Sequence, residues 1–228
     1  MIIDILTLFP ESFSYLNSSI LKRAQESGIL KINLIDIRQF SKDKHKKCDD
    51  YPFGGGAGML MQVQPIYDAV KSVEREGSHI VFPSPTGKQL NVDIAKELSK
   101  KEHLIFICGH YEGIDERVKD IFHPQEISIG DYVLTGGELS TMVIVDCLSR
   151  FIEGVISDES LSEESFSSGY LEYPQYTRPA DFMGYKVPEV LLSGNHGEVE
   201  KWRKQKSIEK TQKIRPDLIK KWFSFIKN

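Results

Sequence analysis

The chain has 228 residues, of which 40% are hydrophobic and 27% charged, with a formal net charge of −4. That composition excludes disorder as the main state, and the length suffices for a core without disulfides or structural metal. Cys48, Cys108 and Cys147 lie far apart with no CxxC pair, and no apolar run reaches the length of a membrane span.

The first nine residues, MIIDILTLF, read as a buried strand. They carry an acid and no basic region, unlike a secretory signal, so a cytosolic protein is expected. Pro10 and Glu11 open a helix to about Gln25, with Phe13, Leu16, Ile20 and Leu21 on one face. Residues 28–37 alternate like a second strand, and 41–58 form a long polar loop. A helix is expected over 64–76, with Pro65 in its first turn. Residues 79–84 and 103–109 are apolar runs of strand length, separated by a helix over 91–101 capped by Asn91. Residues 126–137 read as a strand running into a glycine turn, and 138–151 as a helix. This alternation predicts a mostly parallel sheet with helices on both faces.

Residues 157–170, SDESLSEESFSSGY, break the pattern and read as a linker or a loop that orders on binding. Residues 171–195 carry Pro174, Pro179 and Pro188 and look irregular. Residues 198–208 and 216–226 look helical, and Trp202, Ile208, Leu218, Ile219, Trp222, Phe223 and Ile226 are a candidate small core. The domains expected are therefore 1–156, the linker 157–170, and 171–228. Residues 196–228 carry ten Lys or Arg against four Asp or Glu, a +6 tail on a −10 body. An anionic partner and a solvated helix face both account for that asymmetry. The same pair of readings applies to the basic loop 42–47, KDKHKK, with Arg38.

Glycines 54, 55, 56 and 58 suit a tight turn; neither a P-loop nor a GxGxxG fingerprint occurs. Three further small-residue loops follow predicted strands: 83–87, 108–113 and 128–138. Ligands in open α/β sheets sit beyond the carboxyl ends of strands, so these loops would gather main-chain groups around an adenosine-like ligand. Asp115 and Arg117 suit a buried ion pair. Arg150 ends a helix, where a cation meets the dipole favourably. The six histidines lack metal-ligand spacing, and no structural metal is expected.

The segments DDYPFGGGAGMLM (49–61), SPTG (84–87), CGHYEGIDERV (108–118), SIGDYVLTGGE (128–138), SRFIEGV (149–155), YTRP (176–179) and LLSGNH (191–196) carry a resemblance. Together with LFP (8–10), they resemble the bacterial tRNA (guanine-N1) methyltransferases of the TrmD family, from residue 1 to about 217. Phe53 stands where that family usually has tyrosine.

The resemblance implies a SPOUT-type parallel sheet with a trefoil knot, followed by a small, mostly helical C-terminal domain. It implies S-adenosylmethionine bound by Phe82, Pro83, Ser84, Pro85 and Gly87, by Gly109, Tyr111, Glu112 and Gly113, and by Ile129, Gly130, Tyr132, Leu134, Gly136 and Gly137. It implies a homodimer whose subunits share each active site, and a tRNA anticodon-loop substrate, methylated at N1 of guanosine 37. Magnesium is implied as well, with no dedicated cage visible in the chain. Arg150 would stabilise charge on O6, and the general base would be Glu164. The family has aspartate there, in a D-S-F sequence that here reads Glu164-Ser165-Phe166, in a linker about one residue shorter. An added methylene displaces the carboxylate by more than ~1 Å unless the backbone compensates. A tRNA-binding relative with impaired transfer, and a methyltransferase acting on another RNA, are the competing readings.

Overall fold

The computed structural model describes residues 1–157, 165–166 and 169–219. The chain divides into two compact units, Met1–Ile156 and Ser157–Asn228.

The first unit is built on five parallel strands: β1 (Ile2–Thr7), β2 (Lys31–Asp36), β5 (His79–Gln89), β6 (His103–Ile107) and β7 (Gln125–Ser128). Their order is β2-β1-β6-β5-β7. A separate short antiparallel pair joins β3 (Asp49–Asp50) to β4 (Leu60–Met61). The helices are α1 (Ser19–Glu26), α2 (Val63–Val73), α3 (Val92–Ser99), α4 (Arg117–Phe122) and α5 (Glu138–Ser149).

The strands read as continuous apolar runs because both faces of the sheet are covered. Ile3, Ile5, Leu104 and Phe106 pack with Leu21, Ala24, Ala95, Leu98, Ile144 and Leu148 from α1, α3 and α5. Their neighbours Leu6, Ile105 and Ile107 belong to a second cluster, with Ile66, Ala69, Val70 and Val118 of α2 and α4. Successive strand residues thus alternate between two cores. One polar group interrupts this alternation. Buried Asp4 accepts from Asn33 Nδ2 at 2.6 Å, and its other oxygen lies 2.7 Å from His103 Nε2. The far ring nitrogen of His103 meets Ser78 Oγ at 2.7 Å, so the buried polar atoms are paired.

Asn91 caps α3 as expected, accepting from the N–H groups of Asp93 and Ile94 at 3.0 Å each. Other elements differ from the sequence expectation. The first helix is two pieces: a 3-10 segment over Pro10–Asn17 and then α1, parted at Ser18, which is extended. Strand β5 runs well past residue 84, and its pairing with β7 breaks between Pro83 and Lys88. Residues 84–87 leave the ladder there and return. Strand β7 ends at Ser128, so the glycine turn that follows is loop. Helix α4 went unread, because its six residues are too few to show a helical period.

In the second unit a hairpin pairs Asp181–Phe182 with Tyr185–Lys186. One long helix, His196–Ile214, replaces the shorter segment expected over 198–208, and Asn195 accepts from Glu198 N–H at its start. Leu171 is held to this helix by its N–H to Thr211 Oγ1 at 2.8 Å and by the Ser207 hydroxyl on its carbonyl. Trp202 and Ile208 are half-buried, and Thr211 is the buried residue among those described. Trp222, Phe223 and Ile226 of the expected core lie outside the described residues.

Candidate functional site

Strands β5, β6 and β7 are neighbours that all point the same way, so their carboxyl ends open on one side. A cavity of about 360 Å³ lies there. Three loops line it, over 82–86, 109–114 and 127–137. The volume falls within the range of small-molecule sites.

The loops are tied to one another by main chain. Gly137 N–H donates to the Gly109 carbonyl at 2.7 Å, and His110 pairs with Gly136 as an isolated antiparallel bridge. The glycine-rich segment before β4 supports the middle loop. Met61 N–H donates to the Gly113 carbonyl at 2.9 Å, and Glu112 N–H to the Met59 carbonyl at 3.1 Å. A Cβ on Gly58 would lie 2.6 Å from Glu112 Oε1, so this glycine permits the approach. Phe53, on the same segment, is fully exposed at 100%. The tyrosine-to-phenylalanine difference therefore removes no internal hydrogen bond.

Apolar walls come from Phe82, Ile114, Ile127 and Ile129. Among the polar lining residues, Lys119 lies 3.1 Å from Glu116 and 3.7 Å from Glu126. Thr86 Oγ1 donates to Glu126 at 2.8 Å and is 2.7 Å from Ser84 Oγ. Burial opposes the Glu126 charge, but the Ser84 and Thr86 hydroxyls and Lys119 outweigh it and hold the carboxyl below its ordinary range. Next to the lining residue His110, buried Glu138 accepts from Thr7 Oγ1 at 3.0 Å and faces His110 Nδ1 at 4.0 Å. Glu138 opens α5, where the helix dipole favours an anion.

Of the fifteen residues expected to hold the donor, the lining contains Phe82, Pro83, Ser84, Pro85, Gly109, Tyr111, Glu112, Gly113, Ile129, Gly130, Tyr132, Leu134, Gly136 and Gly137. Gly87 is not among them. It packs on the backbone of Glu126 and Ile127, where any Cβ would overlap, so its glycine serves the return of β5 to β7. Thr86 and His110 line the cavity from within the expected loops, and Glu116, Lys119 and Ser140 line it unforeseen. Glu116 lies within a quoted motif and Lys119 directly follows it, whereas no quoted motif holds Ser140.

Arg150 is elsewhere. It follows the last residue of α5, whereas Gly137 at the opposite end touches the cavity. Twelve residues of helix rise about 18 Å, beyond the reach of an arginine side chain. Glu164 lies outside the described residues. Asp115 and Arg117 do pair, through two hydrogen bonds of 2.9 and 2.6 Å, but on the surface rather than buried. Arg38 donates to the Leu8 carbonyl and lies 5.0 Å from the Phe9 ring centroid. It therefore has a structural role alongside the basic loop. No helix among the described residues is long and apolar enough to cross a membrane.

The family model described as tRNA (guanine-1)-methyltransferase TrmD matches residues 1–221. A protein of Ruminiclostridium cellulolyticum named tRNA (guanine-N(1)-)-methyltransferase is 57% identical over 223 residues, covering 96% of each chain. Proteins of the same name from Clostridium botulinum and Caldicellulosiruptor saccharolyticus are each 58% identical, over 97% and 96% of this chain and 93% and 90% of their own. A match that spans nearly the whole chain, and so both the β5–β6–β7 loops and the second unit, shows that this chain belongs to the TrmD family of tRNA (guanine-1)-methyltransferases.

Proposed function

We propose that this chain transfers the methyl group of S-adenosylmethionine to N1 of guanosine 37 in tRNA, just 3′ of the anticodon. The observation that carries the reading is the single cavity at the joined ends of β5, β6 and β7. Its apolar walls suit an adenine ring, and its loop amides, carbonyls and hydroxyls suit the ribose and the amino-acid portion. Bound there, S-adenosylmethionine supplies an electrophilic methyl group on a cationic sulfur.

The chain's own residues supply the rest. N1 of guanine carries a proton, and Glu164 removes it as the N–CH₃ bond forms and the S–CH₃ bond breaks. Arg150 stabilises the negative charge that grows on O6. The length of α5 between Gly137 and Arg150 favours a symmetric homodimer, in which Arg150 and Glu164 of one chain serve the donor cavity of the other. The crossing of β6 to β7 over β5, closed by the Gly109–Gly137 bond, supports the trefoil knot. Residues 157–170 act as the lid, and the basic second unit holds the RNA. Cytoplasmic location follows from a tRNA substrate. Among the described residues no cluster of three possible metal ligands occurs, so no residue is assigned to magnesium.

The reading of a binding protein with impaired transfer draws no support from relatives that bear the methyltransferase name. The deciding experiment incubates the chain with a tRNA transcript and S-adenosylmethionine and maps the methyl group by mass spectrometry. A methyl on N1 of guanosine 37, absent when that base is adenosine, is expected. No transfer, or transfer to another atom, overturns the reading.

A further inference from the structure

Glu138, the first residue of α5, is 8% exposed. Its Oε1 accepts from the Thr7 hydroxyl at 3.0 Å, and Thr7 is itself wholly buried. Its Oε2 lies 4.0 Å from His110 Nδ1, too far for a hydrogen bond, and that nitrogen has no other partner. Among the described residues, His110 is the only basic side chain within 4.0 Å of this carboxylate. The amino end of α5 offsets part of the charge, and it does so without a cation.

The carboxylate stands close to the larger cavity. Gly136 lines that cavity, and a Cβ on it would lie 2.4 Å from Glu138 Oε2. The glycine leaves room for the carboxylate, and no side chain at residue 136 separates the two. The charges of the lining do not cancel Glu138. Lys119 is the one lysine or arginine there, and Glu116 and Glu126 already share it at 3.1 and 3.7 Å. Glu112 adds a further acid to the lining. A buried charge is little screened by salt, so its field reaches across the cavity. Two unit charges ~8 Å apart, at an effective dielectric of ~20, change an affinity by roughly thirtyfold.

We propose that Glu138 is a specificity-determining residue: its field raises the affinity of the cavity for the sulfonium of S-adenosylmethionine relative to the neutral thioether of S-adenosylhomocysteine. The proposal rests on the methyltransferase reading, which supplies both ligands. They differ by one methyl group and one positive charge. When the S–CH₃ bond breaks, its electron pair stays on sulfur and neutralises it. The positive charge passes to the base with the methyl group and leaves as the N1 proton. The attraction to Glu138 ends at that moment, which favours exchange of the product for fresh donor.

Glu138→Gln in the full chain is the test. Glutamine keeps the size of the side chain and an oxygen for the Thr7 hydroxyl, and it removes the charge. Calorimetry at pH 8, where an imidazole of ordinary pKa is neutral, measures both ligands. Affinity for S-adenosylmethionine should fall about tenfold and that for S-adenosylhomocysteine should stay within about twofold. An analogue with an aliphatic ammonium in place of the sulfonium should lose affinity as the donor does, because charge rather than the methyl group is read. Glu138→Asp keeps the charge, and the ratio of the two affinities should stay within about threefold of that in the unmodified chain. An equal fall for both ligands in Glu138→Gln assigns the residue to the shape of the cavity and overturns the proposal. So does an unchanged ratio, a ratio that moves as far in Glu138→Asp, or a Glu138→Gln chain that no longer folds, since the carboxylate then serves the fold. If the unmodified chain binds neither ligand, the methyltransferase reading fails and the proposal with it. Binding of both, with a ratio indifferent to Glu138, overturns the proposal and leaves that reading standing.

Discussion

Gly137 and Gly109 meet main chain to main chain, with a 2.7 Å hydrogen bond from the Gly137 N–H to the Gly109 carbonyl. The bond joins the residue before α5 to the loop after β6, and both residues line the larger cavity. A Cβ on Gly137 would lie 2.9 Å from Gly109 N and 3.0 Å from Cys108 Cα, atoms that cannot rotate away. Gly137→Ala is therefore expected to part the two loops. Calorimetry should show donor affinity reduced by at least tenfold, with about 1–3 kcal/mol lost in stability. Wild-type donor affinity in this variant would mean that the contact does not shape the cavity.

Glu126 links the same site to pH. Its folded carboxyl titrates below the ordinary value, despite burial, because of the Ser84 and Thr86 hydroxyls and Lys119. A depressed pKa stabilises the fold above the unfolded pKa of about 4.3, and that stability disappears as pH falls through the folded value. Glu126→Gln should be less stable than the parent at pH 7, and the gap should close on acidification below about pH 4. Urea titrations at several pH values measure it. A gap that widens in acid would reverse the assignment.

The proposed homodimer with a shared active site predicts complementation. Glu164→Gln keeps shape and loses basicity, and it should slow single-turnover transfer by roughly 10²–10⁴-fold. Gly137→Ala weakens donor binding, and its cavity stays largely empty when the donor is held well below the Kd of that variant. If the donor cavity of one chain works with Glu164 of the other, unfolding and refolding an equal mixture should restore about a quarter of wild-type activity, from one intact site per heterodimer. No recovery would place Glu164 with its own chain's cavity.

The tail prediction is electrostatic. Lys201 and Lys204 are exposed on the helix His196–Ile214; Lys201 pairs with Glu198 at 2.9 Å. Arg203 lies 4.8 Å from the Tyr173 ring centroid, so replacing it would confound charge with packing. Changing Lys201 and Lys204 to Glu should weaken tRNA binding and lower the slope of log affinity against log salt by about 0.7–0.9 per lost phosphate contact. An unchanged slope would return the tail to a solvated helix face.

Much of the first unit was legible in the sequence, because period and capping are local properties. The apolar runs at 1–9, 79–84 and 103–109 marked strands buried on both faces, and Asn91 marked the start of α3. The small-residue loops at 83–87, 108–113 and 128–138 announced strand ends, and of the fifteen residues named by the family resemblance fourteen line one cavity. The break at Ser18 was not legible, since the apolar face of residues 13–21 continues smoothly through it.

Strand order and the convergence of the loops belong to the tertiary structure. A strand's apolar residues state that it is buried, not which strand lies at its edge. The order β2-β1-β6-β5-β7 rests on pairing between strands far apart in the chain, such as β1 with β6. Gly87 shows the same limit within a single motif. Its neighbours Pro85 and Thr86 reach the cavity, while Gly87 meets the backbone of β7, a contact set by pairing between segments some forty residues apart.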